Sequence, residues 1–178
     1  FRRYSIWVAL LLTAVVYLPT FNSQFVEWDD PAYIIRNDLI KDLSPEGIKN
    51  IFQTRGVEGN YHPLTLLSFA IDYAIDGLNP LTFHLHNLLL HLLNVALVFF
   101  LIKWLSNRWE IAFLTALLFG MHPMHVESVA WATERKDVLY VFYLLLGLLS
   151  YLKYVQSKKI AFCFLALLLM VFSSLAKA

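Results

Sequence analysis

Residues 83–105 are apolar over more than the about 20 residues that an α-helix needs to cross a bilayer's hydrocarbon core. Yet His84, Asn87, His91 and Asn94 recur within that run at +3, +7 and +10, on one helical face, with His86 off that face near one end. Polar groups in hydrocarbon are costly, so that face must meet other helices or a polar cavity. Bonding between neighbouring helices and lining a site are both open to it. Composition extends the argument to the whole chain: of 178 residues, 59% are hydrophobic and 15% charged. Soluble domains run near about 45–50% and about 25%. The chain therefore reads as an all-α, polytopic membrane helix bundle. A net charge of +1 gives no bulk attraction for nucleic acid. A single cysteine, Cys163, rules out an intrachain disulfide and a multi-cysteine zinc site.

Five apolar segments are expected as spans, about 4–21, 83–105, 109–121, 138–155 and 160–176, in a single membrane domain covering 1–178. Gly120 and Pro123 interrupt or end the third. No segment has the clear cleavage site of a signal peptide. The opening on Phe1 and the end at Ala178 suggest a portion of something longer. Orientation follows from basic residues in short loops. Arg2, Arg3, Lys103, Arg108, Lys153, Lys158 and Lys159 fall on one side of a five-span chain, which is then cytoplasmic. The loop 22–81 and the turn 121–137 fall on the other, and Arg135 and Lys136 with them, against the usual bias. Two readings fit that exception: the pair clamps an anionic phosphate, or it pairs with Glu134 and Asp137 near a helix end.

The long loop carries nine acidic and four basic residues between 22 and 80, a net charge of −5. It is not linker, because Trp28, Tyr33, Ile34, Ile35, Leu39 and Ile40 are spread through it. Ser44 as N-cap and Pro45 as first helical residue predict a short helix to about Phe52. A second helix is expected from Pro63, with Thr65, Ser68, Asp72 and Asp76 as its polar face. Both are expected as amphipathic helices lying on the membrane surface against the spans.

Four places carry candidate chemistry. In Glu27-Trp28-Asp29-Asp30-Pro31, two adjacent carboxylates can serve as a base and as ligands for Mg²⁺ or Mn²⁺, with Glu127 a further oxygen donor. One can face a reaction while the other holds the loop; the plain alternative is a turn before Pro31 wetted by acids. His62 stands at the start of the second surface helix, where an anion is favoured, or where a histidine merely serves structure. His84, Asn87 and His91 supply polar groups along the second span. His122-Pro123-Met124-His125-Val126-Glu127 is the densest cluster. If the chain is helical from Val126, then Glu127, Glu134 and Asp137 share one broad face. Zinc is disfavoured there: H-x-x-H-x-E is no protease signature, and Pro123 breaks the helix that one would need.

These pieces together resemble the N-terminal membrane part of the transmembrane-and-tetratricopeptide proteins, relatives of the protein O-mannosyltransferases in the GT-C glycosyltransferase superfamily. The resemblance is carried by Trp28-Asp29-Asp30, Tyr61-His62-Pro63-Leu64-Thr65, Phe83-His84-Leu85-His86-Asn87 with Leu90-His91, and His122 to Ala130 leading to Arg135-Lys136-Asp137-Val138-Leu139. It implies a GT-C-like N-terminal portion with an acidic catalytic residue in the first outer loop, onto which Asp29 and Asp30 fall. It implies a polyprenyl- or dolichyl-phosphate sugar as donor and a protein hydroxyl or other exported molecule as acceptor. Arg135, Lys136 and His62 are then candidates for the donor phosphate. Glu127, His125, His122, Asp137, His84, Asn87 and His91 become supporting polar groups. The place would be a bacterial inner membrane or the endoplasmic reticulum, with the catalytic loops on the non-cytoplasmic side. A non-enzymatic membrane scaffold or assembly factor that keeps the fold is the alternative.

Overall fold

A computed structural model describes residues 4–54 and 56–177. Arg2 and Arg3 of the charge argument, and Arg55 of the loop, lie outside the described residues. The fold is all-α: α1 (Ser5–Tyr17), α2 (Pro45–Gln53), α3 (Pro63–Asp76), α4 (Pro80–Ser106), α5 (Trp109–Met121), α6 (Val126–Ala130), α7 (Arg135–Ser157) and α8 (Ile160–Ala176). An isolated bridge between Val57 and Asn60 is the sole β pairing among the described residues. Among the described residues, three helical stretches are long and apolar enough to cross a membrane: Ser5–Asn22, Pro80–Ser106 and Arg135–Ser157. Trp109–Met121 and Ile160–Ala176 are apolar but shorter.

Helix ends follow local chemistry. Asn79 accepts the Leu81 N–H ahead of Pro80, and Ser44 accepts the Gly47 N–H ahead of Pro45. Asn107 (φ 53°) and Lys158 (φ 56°) close α4 and α7 in the left-handed conformation, so each long helix turns straight back into the next. The α4–α5 and α7–α8 hairpins pack side by side, and α1 lies against α4 and α5. Residues Lys103, Trp104, Trp109 and Leu149 meet Ser5 at one end of this bundle, with the Lys153 ammonium 6.0 Å from the Trp104 ring. This end gathers the basic loop residues; the 22–80 loop packs on the other.

That loop has its own core. Tyr33, Ile34, Ile40 and Ile51 are buried with Leu66, Phe69 and Ala70 of α3, and Phe83 of α4 and Ala132 close it from the bundle. Thr65 and Asp72 of the polar stripe on α3 face inward rather than outward, while Asp76 at the helix end is exposed. Thr65 and Asp72 are each 1% exposed, while Ile71 and Ile75 lie on the outside. The reason is partnership inside: the Thr65 hydroxyl donates to the Ala176 carbonyl at 2.9 Å, and Asp72 meets His86 and Arg135. A second correction concerns the segment after Val126. It is not one continuous helix: α6 ends at Ala130, a turn follows, and α7 begins at Arg135. Glu127, Glu134 and Asp137 therefore do not form one helical face.

Candidate functional site

The two adjacent aspartates have different environments. Asp30 is fully buried. Its Oδ2 accepts the Val26 N–H at 2.8 Å, and its Oδ1 accepts the Trp131 indole N–H at 3.0 Å and the Thr133 N–H at 3.2 Å. The carboxylate thus ties the first loop to the turn between α6 and α7, through the Trp131 indole and the Thr133 backbone N–H that the broken helix leaves free. Trp28 and Trp131 meet edge to face at 5.4 Å beside it. Asp29 is left on the surface, its side chain 35% exposed, with Oδ2 3.8 Å from the Lys136 ammonium. Lys136 also bonds Glu134 at 2.8 Å and lies 5.9 Å from the Tyr33 ring centroid. The resulting rim is a half-exposed carboxylate beside a cation.

Asp29, Asp30 and Glu127, the carboxylates expected around a divalent ion, differ in how far they are engaged by the protein. Both Asp30 oxygens serve N–H donors, and Glu127 is exposed on α6. No cluster of three or more His, Cys, Asp or Glu side chains suited to a metal occurs among the described residues.

Arg135 lies inside the protein, 1% exposed. Its guanidinium pairs with Asp72, its Nε donates to Asn87 Oδ1 at 2.7 Å, and its Nη2 donates to the Phe83 carbonyl at 2.8 Å. The rings of Phe69 and Phe83 lie 4.8 and 5.6 Å from it. Its charge partner is Asp72 of α3, not the neighbouring Glu134 or Asp137; those pair with Lys136 and Lys177. Asn87 completes the junction by donating to the Trp131 carbonyl at 2.9 Å. The polar face of α4 is thereby spent on helix–helix bonds, with His91 Nε2 on the Gly120 carbonyl at 3.0 Å and Asn94 Nδ2 on the Val138 carbonyl at 2.8 Å. His84 differs: it is 1% exposed and neither ring nitrogen has a hydrogen-bond partner.

His62 is 4% exposed at the start of α3. Burial holds its imidazole below the ordinary range, and the charges of Lys136 and Lys177 push the same way. His125 is lowered by burial and then by His122. His122 is exposed and accepts the Met124 N–H at 3.2 Å, fixing the turn at Pro123. Lys177 pairs with Asp137, which also accepts from the Ser128 hydroxyl at 3.2 Å. Asp29, Lys136, Asp137 and His62 are thus brought to one end of the bundle, and Arg135, His84, Asn87 and His91 are built into its interior. Sequence reasoning missed Asp72 and Lys177 as members of this region. Asp72 had a signal, an acid within the apolar run of α3; the meeting of Lys177 with Asp137 depends on how α8 docks and had none.

No protein-family model matches the chain, and no solved structure matches it. Curated relatives do. The human protein O-mannosyl-transferase TMTC2 is 32% identical over 157 residues, covering 85% of this chain and 19% of that protein. Human protein O-mannosyl-transferase TMTC1 is 35% identical over 148 residues, 78% of this chain and 17% of its own length. The Drosophila melanogaster protein O-mannosyl-transferase Tmtc1 is 31% identical over 173 residues, 93% of this chain and 20% of its own. The chain spans about a fifth of the length of these relatives. Over that shared portion it belongs to the TMTC-like membrane proteins of the GT-C superfamily, as an all-α polytopic segment.

Proposed function

We propose that this chain is a membrane-embedded portion of a glycosyltransferase. It moves a sugar from a polyprenyl- or dolichyl-phosphate donor to the hydroxyl of a protein or other exported acceptor. The activity for which the relatives are named, protein O-mannosyl transfer, makes mannose the first sugar to test. The observation that carries the reading is the division of labour between Asp30 and Asp29: the first is consumed by three N–H donors, the second is half exposed beside Lys136.

A lipid-phosphate sugar carries its leaving group with it. The Asp29 carboxylate takes the acceptor's hydroxyl proton as the oxygen attacks the anomeric carbon. The bond from that carbon to the phosphate oxygen breaks, and its electron pair leaves with the lipid phosphate. Lys136, 3.8 Å from Asp29, stabilises the negative charge on the departing phosphate. Asp30 acts through Asp29 by fixing the loop, so it is a positioning residue. Arg135 holds α3, α4 and α7 together beneath the rim. The loops that carry the reaction face the lumen of the endoplasmic reticulum or the outer side of a bacterial inner membrane.

The test is sugar transfer by the full-length protein in detergent or liposomes, with a polyprenyl-phosphate mannose as donor. Asp29→Asn is expected to cost about 10²-fold or more in rate with little change in thermal stability. Asp30→Asn is expected to lower stability and rate together. Full activity in Asp29→Asn would remove the base and favour a scaffold.

A further inference from the structure

A cleft of about 580 Å³ lies between α1, α4, α5 and α7, at the end of the bundle opposite the loop and away from Asp29. Its lining changes character along α4. Phe99 and Phe100 supply apolar wall, joined by Ile6 of α1 and Leu149 of α7. Phe100 is 51% exposed, so the cleft opens sideways on the apolar surface of the bundle. One turn nearer the end of α4 the lining becomes Lys103 and Trp104, with Trp109 of α5 beside them. Tryptophan at a helix end marks the depth of the lipid headgroups.

The cations at this cleft differ from those at the loop end. There, Lys41, Lys49, Lys136 and Lys177 each meet a carboxylate. Lys103 is half-buried, and its ammonium has neither a carboxylate nor a hydrogen-bond partner among the described residues. Lys153 of α7 is brought to the same place, its ammonium 6.0 Å from the Trp104 ring, and it too lacks a carboxylate. The sequence offers them almost none: Glu110 is the only acid in residues 77–126, and residues 138–178 have no Asp or Glu. The carbonyls that end α4 favour a lysine in its last turn, but they account for neither Lys153 nor the apolar slot below it.

Two ammoniums without counter-charge, at headgroup depth, above an aromatic and aliphatic slot that opens sideways, match a molecule with an anionic head and a hydrocarbon tail. We infer that this cleft seats one anionic glycerophospholipid, its phosphate between Lys103 and Lys153 and one acyl chain against Ile6, Phe99, Phe100 and Leu149. Phospholipid is the anion present at that depth of a bilayer, and basic pockets between spans are where such heads are held. Seated there, the lipid also fastens the start of α1 to α4 and α7. The inference needs neither the transfer reading nor an orientation of the chain, because both faces of a membrane carry phospholipid.

The experiment measures equilibrium binding to the full-length protein in an uncharged detergent at about 0.15 M salt, where distant exposed charges are screened. The probes are a short-chain phosphatidylglycerol, a phosphatidylcholine of the same chains, and glycerol phosphate. Phosphatidylglycerol is expected to bind more tightly than either of the others and to raise the unfolding temperature. Lys103→Gln and Lys153→Gln are each expected to weaken its binding about fivefold. Lys158→Gln and Lys159→Gln remove the same charge at the same end, from exposed positions outside the cleft, and are expected to change binding by less than about twofold. Lys153 is exposed, so Lys153→Gln decides the matter even where Lys103→Gln fails to fold. Equal losses in all four folded variants would show diffuse attraction and overturn the site. Phosphatidylcholine binding as tightly as phosphatidylglycerol overturns the anionic head, and glycerol phosphate binding as tightly overturns the lipid as occupant.

Discussion

Arg135 and Asp72 form an ion pair in which both side chains are 1% exposed. Asp72 belongs to the loop helix α3, Arg135 opens α7, and Asn87 and His86 of α4 touch one partner each. A buried pair of this kind contributes little net free energy against apolar replacements, but losing one partner strands the other's charge. Arg135→Gln and Asp72→Ala are each expected to destabilise the protein by about 3–5 kcal/mol, read by thermal unfolding in detergent. The double variant should lose less than the sum, because neither charge is then stranded. Additive losses would mean that the two side chains act separately.

Gly120 marks the closest approach of α1 to the α4–α5 hairpin. A Cβ there would lie 2.3 Å from Thr13 Oγ1 and 3.0 Å from Val95 Cγ2. Gly120→Ala is expected to cost about 1–3 kcal/mol through overpacking, although alanine is the better helix former. Thr13→Ala in the same protein removes the nearer obstacle and should restore part of the loss. Stabilisation by Gly120→Ala alone would show that α1 is free to move away.

The helical segments were legible in the sequence because hydropathy and caps are local. Ser44-Pro45, the start at Pro63 and the one-sided His84, Asn87, His91 and Asn94 all follow from spacing. The orientation of α3 was not legible. Period alone finds a polar stripe but does not say whether water or a buried arginine satisfies it, and Asp72 chose Arg135. Likewise nothing local separates Asp29 from Asp30. Their difference arises from Trp131 and Thr133, more than 100 positions away. The break between Ala130 and Arg135 frees the Thr133 N–H that binds Asp30, and no strong helix breaker announces it.

His62 gives the fold a dependence on acid. Burial and two lysines hold its folded-state pKa below the unfolded value of about 6.5. Between those two values the unfolded chain binds more protons, so stability rises with pH across that window. It is fully present above about pH 6.5 and falls as the pH drops from there towards the folded-state value. The groups behind the shift are Lys136 and Lys177, opposed by Asp137. Thermal unfolding of wild type and His62→Gln from pH 7.5 to 5 checks this: the wild type should lose more stability than the variant on acidification. Equal slopes would show that His62 does not set it.

The basic residues Lys103, Arg108, Lys153, Lys158 and Lys159 all lie near the C-terminal ends of α4 and α7 or in the turns that follow, the end opposite the loop. The positive-inside bias predicts that this end faces the cytoplasm. Lys136 and Lys177 at the other end do not undo the bias, because each is paired with a carboxylate, Lys136 with Glu134 and Lys177 with Asp137. Single cysteines in a Cys163→Ser background test the assignment. Asn50→Cys on α2 and Glu110→Cys at the start of α5 are both at exposed positions. In sealed vesicles of known orientation, a membrane-impermeant maleimide should label Glu110→Cys from the cytoplasmic face and Asn50→Cys from the opposite face alone. Labelling of both from one face would mean that the 83–105 segment does not cross, and Asp29 and Lys136 would then face the cytoplasm's side of the same membrane as the basic turns.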